Sequence, residues 1–298
     1  MFDQLRENFE LILIVLFLIS LLCYVIYRLT THAAVRDDLR ANAANMHGLK
    51  RKERKKIRTR LVSKHLDSPL KKIVYFFADL FWVLLFVVVV RSFLYEPFII
   101  PSGSMKPGLQ VGDIVLVNKF EKGLRLPVTN QRLTQGQPIK RGDVIVFKYP
   151  NNPKISYIKR VIGLPGDKVY YDNRRMIING QRVPLSERDK TVDNVKVHTP
   201  QGIVQRDRDY TVYNEDLSGY KHTIRYSNHY PAGYPAREWI VPKGKYLMMG
   251  DNRDNSADGR EFGFLDDSLV IGRAKRIALN FECLKGNGKC DRFFKAIR

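Results

Sequence analysis

The sequence predicts two N-terminal membrane-spanning helices followed by a mostly-β domain that carries an inserted smaller β subdomain. Three observations lead there. Two apolar stretches, Leu11 to Tyr27 and Ile73 to Leu94, lie in the first third of the 298 residues. A strongly basic segment separates them. After about Tyr95 the chain breaks into short β-branched runs such as GDIVLVNKF, GDVIVFKY and YIKRVIGL, punctuated by Gly, Pro, Asn and Asp.

Residues 1–10 read as a short tail. The stretch at 11–27, LILIVLFLISLLCYVIY, has seventeen residues and no charge. That just reaches the roughly 17–25 residues a helical span requires. It does not read as a cleavable leader. Asp3, Glu7 and Glu10 precede it where a leader carries positive charge, and no clean small-x-small site follows. The stretch at 73–94 is the second span. Asp79 and Arg91 interrupt it, and Asp79 falls within a turn or two of the basic end, near headgroup depth.

The segment 28–72 holds fourteen Lys/Arg against four acids, a net +10 out of the chain's +21. Such a charge suits nucleic acid, anionic lipid or control of topology. Its place between two spans favours the last two. Short Lys/Arg-rich loops stay in the cytoplasm. The loop is therefore expected inside and residues 95–298 outside, with the RKERKKIRTR core solvated or resting on anionic headgroups. No nucleic-acid partner is expected.

Residues 95–298 are expected to form the extracytoplasmic domain. From about 168 to 245 the chain is polar, Tyr-rich and weakly patterned, which reads as an inserted subdomain or a set of long hairpins, with the apolar strands on either side as the core. Cys283 and Cys290 flank Leu-Lys-Gly-Asn-Gly-Lys. A local disulfide and two free thiols are both open readings, the first requiring an oxidising compartment.

Three stretches carry chemistry. In IPSGSMKPGL, Pro101 and Pro107 stiffen a loop holding Ser102, Gly103 and Ser104. An exposed hydroxyl on a stiff loop suits nucleophilic catalysis. Ser104 follows the second span by ten residues, so its expected substrates are held at the membrane. The serine requires a base. His32, His47 and His65 lie in the loop expected inside, and His198, His222 and His229 lie in the weakly patterned insert. A lysine serves if burial keeps it neutral. In ISYIKRVIGLPGD, strand alternation puts Ile155, Tyr157, Lys159 and Val161 on one face. Lys148, with Val144 and Val146, has a similar setting, and periodicity does not choose between the two lysines. Finally, MGDNRDNSADGR at 249–260 reads as tight turns. Asp251, Asp254 and Asp258 offer oxygens to calcium, but the EF-hand spacing is absent.

Together PSGSM after a span, the GDIV strand, YIKRVIGLPGD and GDNRDNSAD resemble the bacterial type I signal peptidases, a family of Ser-Lys serine proteases. The resemblance covers roughly residues 95–167 and 246–274 and the topology. It implies a catalytic core of coiled β-sheets with a smaller insert and an apolar face, including residues 97–101, that dips into the bilayer. Ser104 is then the nucleophile and Lys159 the general base. Ser102 supplies an oxyanion-hole hydroxyl, Ser256 orients the lysine, and Asp258 and Arg260 form a supporting ion pair. Phe98, Ile100, Pro101, Met105, Leu109, Tyr157 and Ile158 line shallow pockets for small residues before the cut. The implied reaction removes signal peptides from exported preproteins without metal or organic cofactor. The implied setting is the outer face of a bacterial plasma membrane, in contact with phospholipid and the export pathway. Departures are Gly108 where many relatives have threonine, Gly259 where many have serine, and Glu261 where an aromatic often stands. Two rivals are a soluble Ser-Lys autoprotease, which the two spans oppose, and a membrane-anchored binding module that does not cut.

Overall fold

The computed structural model describes residues 2–43, 50–90, 95–123, 134, 136–199, 202–229, 235–284, 286 and 290–297. Among them the chain divides into a helical unit ending at Val90 and a β-rich unit beginning at Tyr95.

The helical unit contains α1 (Phe2–Thr30), α2 (His32–Ala41), α3 (Arg51–Lys64) and α4 (Pro69–Val89). Residues 2–10, read from sequence as a tail, are the first turns of α1, because nothing in that stretch breaks a helix. Helix α4 starts where Ser68 caps it, its hydroxyl accepting from the Lys71 N–H at 3.3 Å, with Pro69 in the first turn. It begins earlier than the apolar run and ends at Val89, and residues 91–94 lie outside those described.

Leu11–Thr30 and Pro69–Val89 are each long and apolar enough to cross a membrane, and most of their surface is uncovered. Trp82 is 62% and Phe86 68% exposed, which water would penalise and lipid would not. The two helices meet through Tyr24, stacked on Phe81 at 4.5 Å, and through the Ser20 hydroxyl, which donates to the Phe77 carbonyl at 2.7 Å. That bond satisfies a buried hydroxyl inside an apolar span. The basic segment is more ordered than its composition suggests. Val35, Val62 and Leu66 bury a small cluster between α2 and α3, and His65 pairs with Asp38 at 2.8 Å.

The β-rich unit holds β1 (Tyr95–Ile99), β2 (Asp113–Asn118), β3 (Val144–Tyr149), β4 (Asn152–Gly163), β5 (Lys168–Asp172), β6 (Arg175–Ile178), β7 (Gln181–Arg182), β8 (Leu185–Thr199), β9 (Gly202–Leu217), β10 (Tyr220–Ser227), β11 (Arg237–Ile240), β12 (Lys245–Met249), β13 (Leu265–Asp266) and β14 (Val270–Asn280). The main antiparallel sheet runs β1-β2-β14-β3-β4-β12-β13. β11-β5-β6-β7 and β10-β9-β8 make two smaller sheets.

Alternation along these strands builds two apolar layers on the main sheet. One gathers Ile100, Met105, Leu109, Val115, Val146 and Ile158. The other gathers Ile145, Phe147, Val161, Met248 and Leu265. Within residues 168–245, β5-β6-β7 and β8-β9-β10 pair in sequence order and β11 returns to pair with β5, and the segment shares a core with its flanks. Val169, Tyr171, Trp239 and Val241 of the insert pack with Ile162, Leu247 and Met249 from either side of it. The insert is thereby packed against β4 and β12.

Candidate active site

The serine loop leaves β1 and returns into β2. The Ile100 N–H donates to the Asp113 carbonyl at 2.8 Å, and the Gly112 N–H to the Ile100 carbonyl at 2.9 Å, which closes the base of the loop. Met105 and Leu109, 0% and 1% exposed, anchor it in the core. The Lys106 N–H donates to the Gly103 carbonyl at 3.1 Å, a turn with Ser104 inside it.

A second strut comes from the loop after β12. The Asn252 N–H donates to the Ser104 carbonyl at 3.0 Å, and its side-chain amide donates to the Gly103 carbonyl at 2.9 Å. Gly250 permits this approach. A Cβ there would lie 2.2 Å from Ser256 Oγ and 2.6 Å from the Ser104 carbonyl oxygen.

Lys159, on β4, is buried, and its Nζ donates to Ser104 Oγ at 2.7 Å. Burial pushes its amine down to about 8, against the pull of Asp258 and Asp251, which raise it. Tyr157, two residues earlier on the same face, places its ring 5.2 Å below Nζ. The Ser102 hydroxyl reaches Ser104 Oγ at 3.3 Å from the exposed side.

Beneath the loop lies a set of buried ion pairs. Arg160 grips Asp251 with two hydrogen bonds, at 2.8 and 2.7 Å, and donates to the Gly142 carbonyl at 2.7 Å. Arg260 grips Asp258 with two bonds of 2.8 Å, and the Gly250 N–H donates to the same carboxylate at 2.9 Å. Burial alone would raise the Asp258 carboxyl, but the hydrogen bonds and charge of Arg260, with the Gly250 N–H, hold it below its ordinary value. Arg253 pairs with Glu215, whose carboxyl lies at about 2 because Arg253 and His222 outweigh burial.

These pairs account for the acid-rich turn. Asp251, Asp254 and Asp258, weighed as calcium ligands, each face an arginine, the partner of Asp254 being Arg174 at 2.8 Å. Among the described residues no group of three or more acidic, His or Cys side chains is placed to hold a metal.

The two lysines differ in setting. Lys148 is exposed, while Lys159 is covered by the serine loop. Of the insert histidines, His222 is buried against Glu215 at 3.1 Å, and His229 is exposed near Asp209. The His198 side chain lies outside the described residues. Ser256 is buried across Gly250 from the Ser104 carbonyl.

Among the expected pocket residues, Ile100, Met105, Leu109 and Ile158 share one cluster, with Phe98 partly buried against it. Met105 and Leu109 are covered, so they back that surface from beneath. Tyr157 belongs to another cluster and stacks on Tyr149 at 4.5 Å, and Pro101 is exposed. Sequence reasoning did not single out Asn252, Arg160 or Glu215, and it weighed His222 only as a base. The available signal for Arg160 was its place between Ile158 and Ile162 on one strand face.

The departures also find places. A Cβ at Gly108 would make ordinary contacts with Asp251 and the Met105 carbonyl, so glycine is not required there. At Gly259 it would lie 2.7 Å from the Met248 carbonyl, so the close packing on β12 requires glycine. Glu261 is exposed, and the next residue, Phe262, lies 5.7 Å from the Tyr149 ring. Cys283 and Cys290 form a disulfide, with Cα atoms 5.3 Å apart.

A hydroxyl in contact with a buried amine, on a mostly antiparallel β unit preceded by two helices long and apolar enough to cross a membrane, is compatible with a membrane-anchored hydrolase of the serine class. Comparison with known proteins narrows this. The family model described as signal peptidase, peptidase S26, matches residues 73–279. The protein called signal peptidase I in Pseudomonas aeruginosa is 44% identical over 208 residues, covering 65% of this chain and 68% of that one. Its counterpart in Pseudomonas fluorescens is 43% identical with the same coverage. That of Haemophilus influenzae is 30% identical across 99% of this chain and 93% of its own. A solved signal peptidase I from Enterococcus faecalis covers 46% of this chain at 24% identity and a TM-score of 0.27, too loose a match to bear on the fold. The chain belongs to the signal peptidase family, peptidase S26, and is a bacterial type I member of it. The reading as a binding module without activity falls with that membership.

Proposed function

We propose that this protein removes signal peptides from exported preproteins with Ser104 as nucleophile and Lys159 as general base, cutting after small residues at the −3 and −1 positions. The observation that carries the reading is the 2.7 Å contact from Lys159 Nζ to Ser104 Oγ in a buried setting. A lysine held near 8 is neutral in a useful fraction of molecules at physiological pH.

In the proposed cycle neutral Lys159 takes the Ser104 proton as Oγ attacks the carbonyl before the cut. The Ser104 N–H and the Ser102 hydroxyl hold the oxyanion. The lysine then gives its proton to the departing amine, and the mature protein leaves. Water, deprotonated by the same lysine, attacks the acyl-enzyme and frees the leader. Ser256 orients the amine. Asp258 and Arg260 hold the turn that carries Ser256. Phe98, Ile100, Ile158 and Tyr157 offer shallow apolar contact to small side chains, backed by Met105 and Leu109, with Pro101 at the rim. This reaction needs no metal or organic cofactor.

The topology belongs to the same proposal. The basic segment stays in the cytoplasm and the β-rich unit faces outward from a bacterial plasma membrane. The Cys283–Cys290 disulfide supports an oxidising compartment for that unit. Contact with phospholipid and with the export pathway follows from the spans and from the substrate.

The test is cleavage of a leader-bearing preprotein by the detergent-solubilised protein, wild type beside Ser104→Ala, with the cut located by mass spectrometry. A cut after a small-x-small triplet by wild type alone is expected. Cleavage by both proteins would mean another nucleophile.

A further inference from the structure

The cycle above leaves the long β8–β9 hairpin without a role, yet one of its acids reaches the serine loop. Asp193 lies on β8, and its Oδ2 accepts from Lys106 Nζ at 2.9 Å across 87 residues of sequence. Lys106 is the second residue after Ser104, and its N–H closes the turn around that serine. The same carboxylate oxygen lies 2.7 Å from the Arg225 guanidinium on β10. Burial alone would raise the Asp193 carboxyl, but hydrogen bonds from Arg225 and Lys106, with their charges, hold it below its ordinary value.

Arg225 ties this contact to the other side of the loop. Its guanidinium lies over the Tyr210 ring at 3.8 Å. Its N–H donates to the Asp251 carbonyl at 2.9 Å, and its carbonyl accepts from the Arg253 N–H at 3.0 Å. Between those two residues sits Asn252, which donates to the Ser104 and Gly103 carbonyls. The serine turn is thus gripped at Asn252 and at Lys106, and both grips lead to the insert's three-stranded sheet. The Lys106 and Asp193 side chains are only 21% and 20% exposed, so water screens this pair less than a surface ion pair.

We propose that Asp193 is a positioning residue for the reaction: through Lys106 it holds the turn that aims the Ser104 hydroxyl at Lys159, so that the inserted hairpin sets the nucleophile's geometry. This rests on the roles given above to Ser104 and Lys159.

The experiment measures preprotein cleavage by the full-length protein in detergent, as wild type, Asp193→Asn, Asp193→Glu, Lys106→Met, the Asn/Met double variant and Ser104→Ala, with thermal unfolding of each. A misaimed nucleophile loses turnover and keeps substrate affinity. Asp193→Asn and Lys106→Met are each expected to lower kcat about tenfold with KM within about twofold. The double variant is expected to fall no further, because both changes remove one contact. Asp193→Glu, which keeps the carboxylate, is expected to recover most of the rate. Wild-type kcat in both single variants, or losses that multiply in the double, would overturn the proposal. If Asp193→Asn does not fold, Lys106→Met decides alone, since it leaves the hairpin untouched. Residual cleavage by Ser104→Ala would overturn the nucleophile assignment itself. A dead Ser104→Ala beside fully active Asp193→Asn and Lys106→Met would overturn this inference only.

Discussion

Lys159 Nζ lies 2.7 Å from Ser104 Oγ, although 55 residues of sequence separate them. Burial holds that amine at about 8. A base acts only when unprotonated, so kcat/KM is expected to rise with pH through about 8 and then level. A kcat/KM profile from pH 6 to 10 checks this. A flat profile, or a rise centred above 10, would count against the assignment.

The same burial has a stability consequence. Between about 8 and the ordinary 10.5 the unfolded chain holds a proton that the folded chain has released, so stability rises with pH through that window. Below about 8 the folded state bears the full cost of an enclosed ammonium. Lys159→Met is therefore expected to stabilise the protein at pH 7 by about 2–3 kcal/mol while abolishing cleavage. The difference should shrink as pH approaches 10.5. Denaturant unfolding of the two proteins at pH 7 and pH 10 measures it.

Ser102 places a hydroxyl 3.3 Å from Ser104 Oγ, on the exposed side where substrate must approach. An oxyanion donor acts in the transition state and contributes about 3–4 kcal/mol there. Ser102→Ala is expected to lower kcat by about 100- to 1000-fold with little change in KM or melting temperature. Steady-state kinetics on a preprotein checks it.

Gly250 lets two segments meet. A Cβ there would overlap Ser256 Oγ at 2.2 Å and the Ser104 carbonyl oxygen at 2.6 Å. Gly250→Ala must push the serine loop from its strut at Asn252. A loss of about 100-fold in kcat is expected, with lower thermal stability. Gly108→Ala, whose Cβ finds 3.5 Å of room, is the matched control and should retain most activity.

How much of this was legible from residue order depends on the range of each interaction. The spans were legible because a run of apolar residues is local, and the nucleophile loop because two prolines and a glycine bracket its serines. The ends were less so. Residues 2–10 continue the first helix because their acids do not break helical geometry. Lys159 and Lys148 occupy equivalent positions in one alternating pattern, and only the fold shows which of them the serine loop covers.

The insert was harder to read for a related reason. Glu215, His222 and Arg225 are polar, so the strands that carry them appear solvated, yet all three are buried. The arginine partner of Glu215, Arg253, lies 38 residues along the chain. Asp251 and Asp254 were open to a cation-ligand reading because their arginine partners, Arg160 and Arg174, lie 91 and 80 residues away.

The assignment of Lys159 as the base is most directly tested by cleavage of a leader-bearing preprotein by purified Lys159→Ala at pH 8, with folding verified by circular dichroism. The expected result is a folded protein with cleavage at the uncatalysed background. Substantial cleavage by that folded variant would contradict the account and return the base to another group.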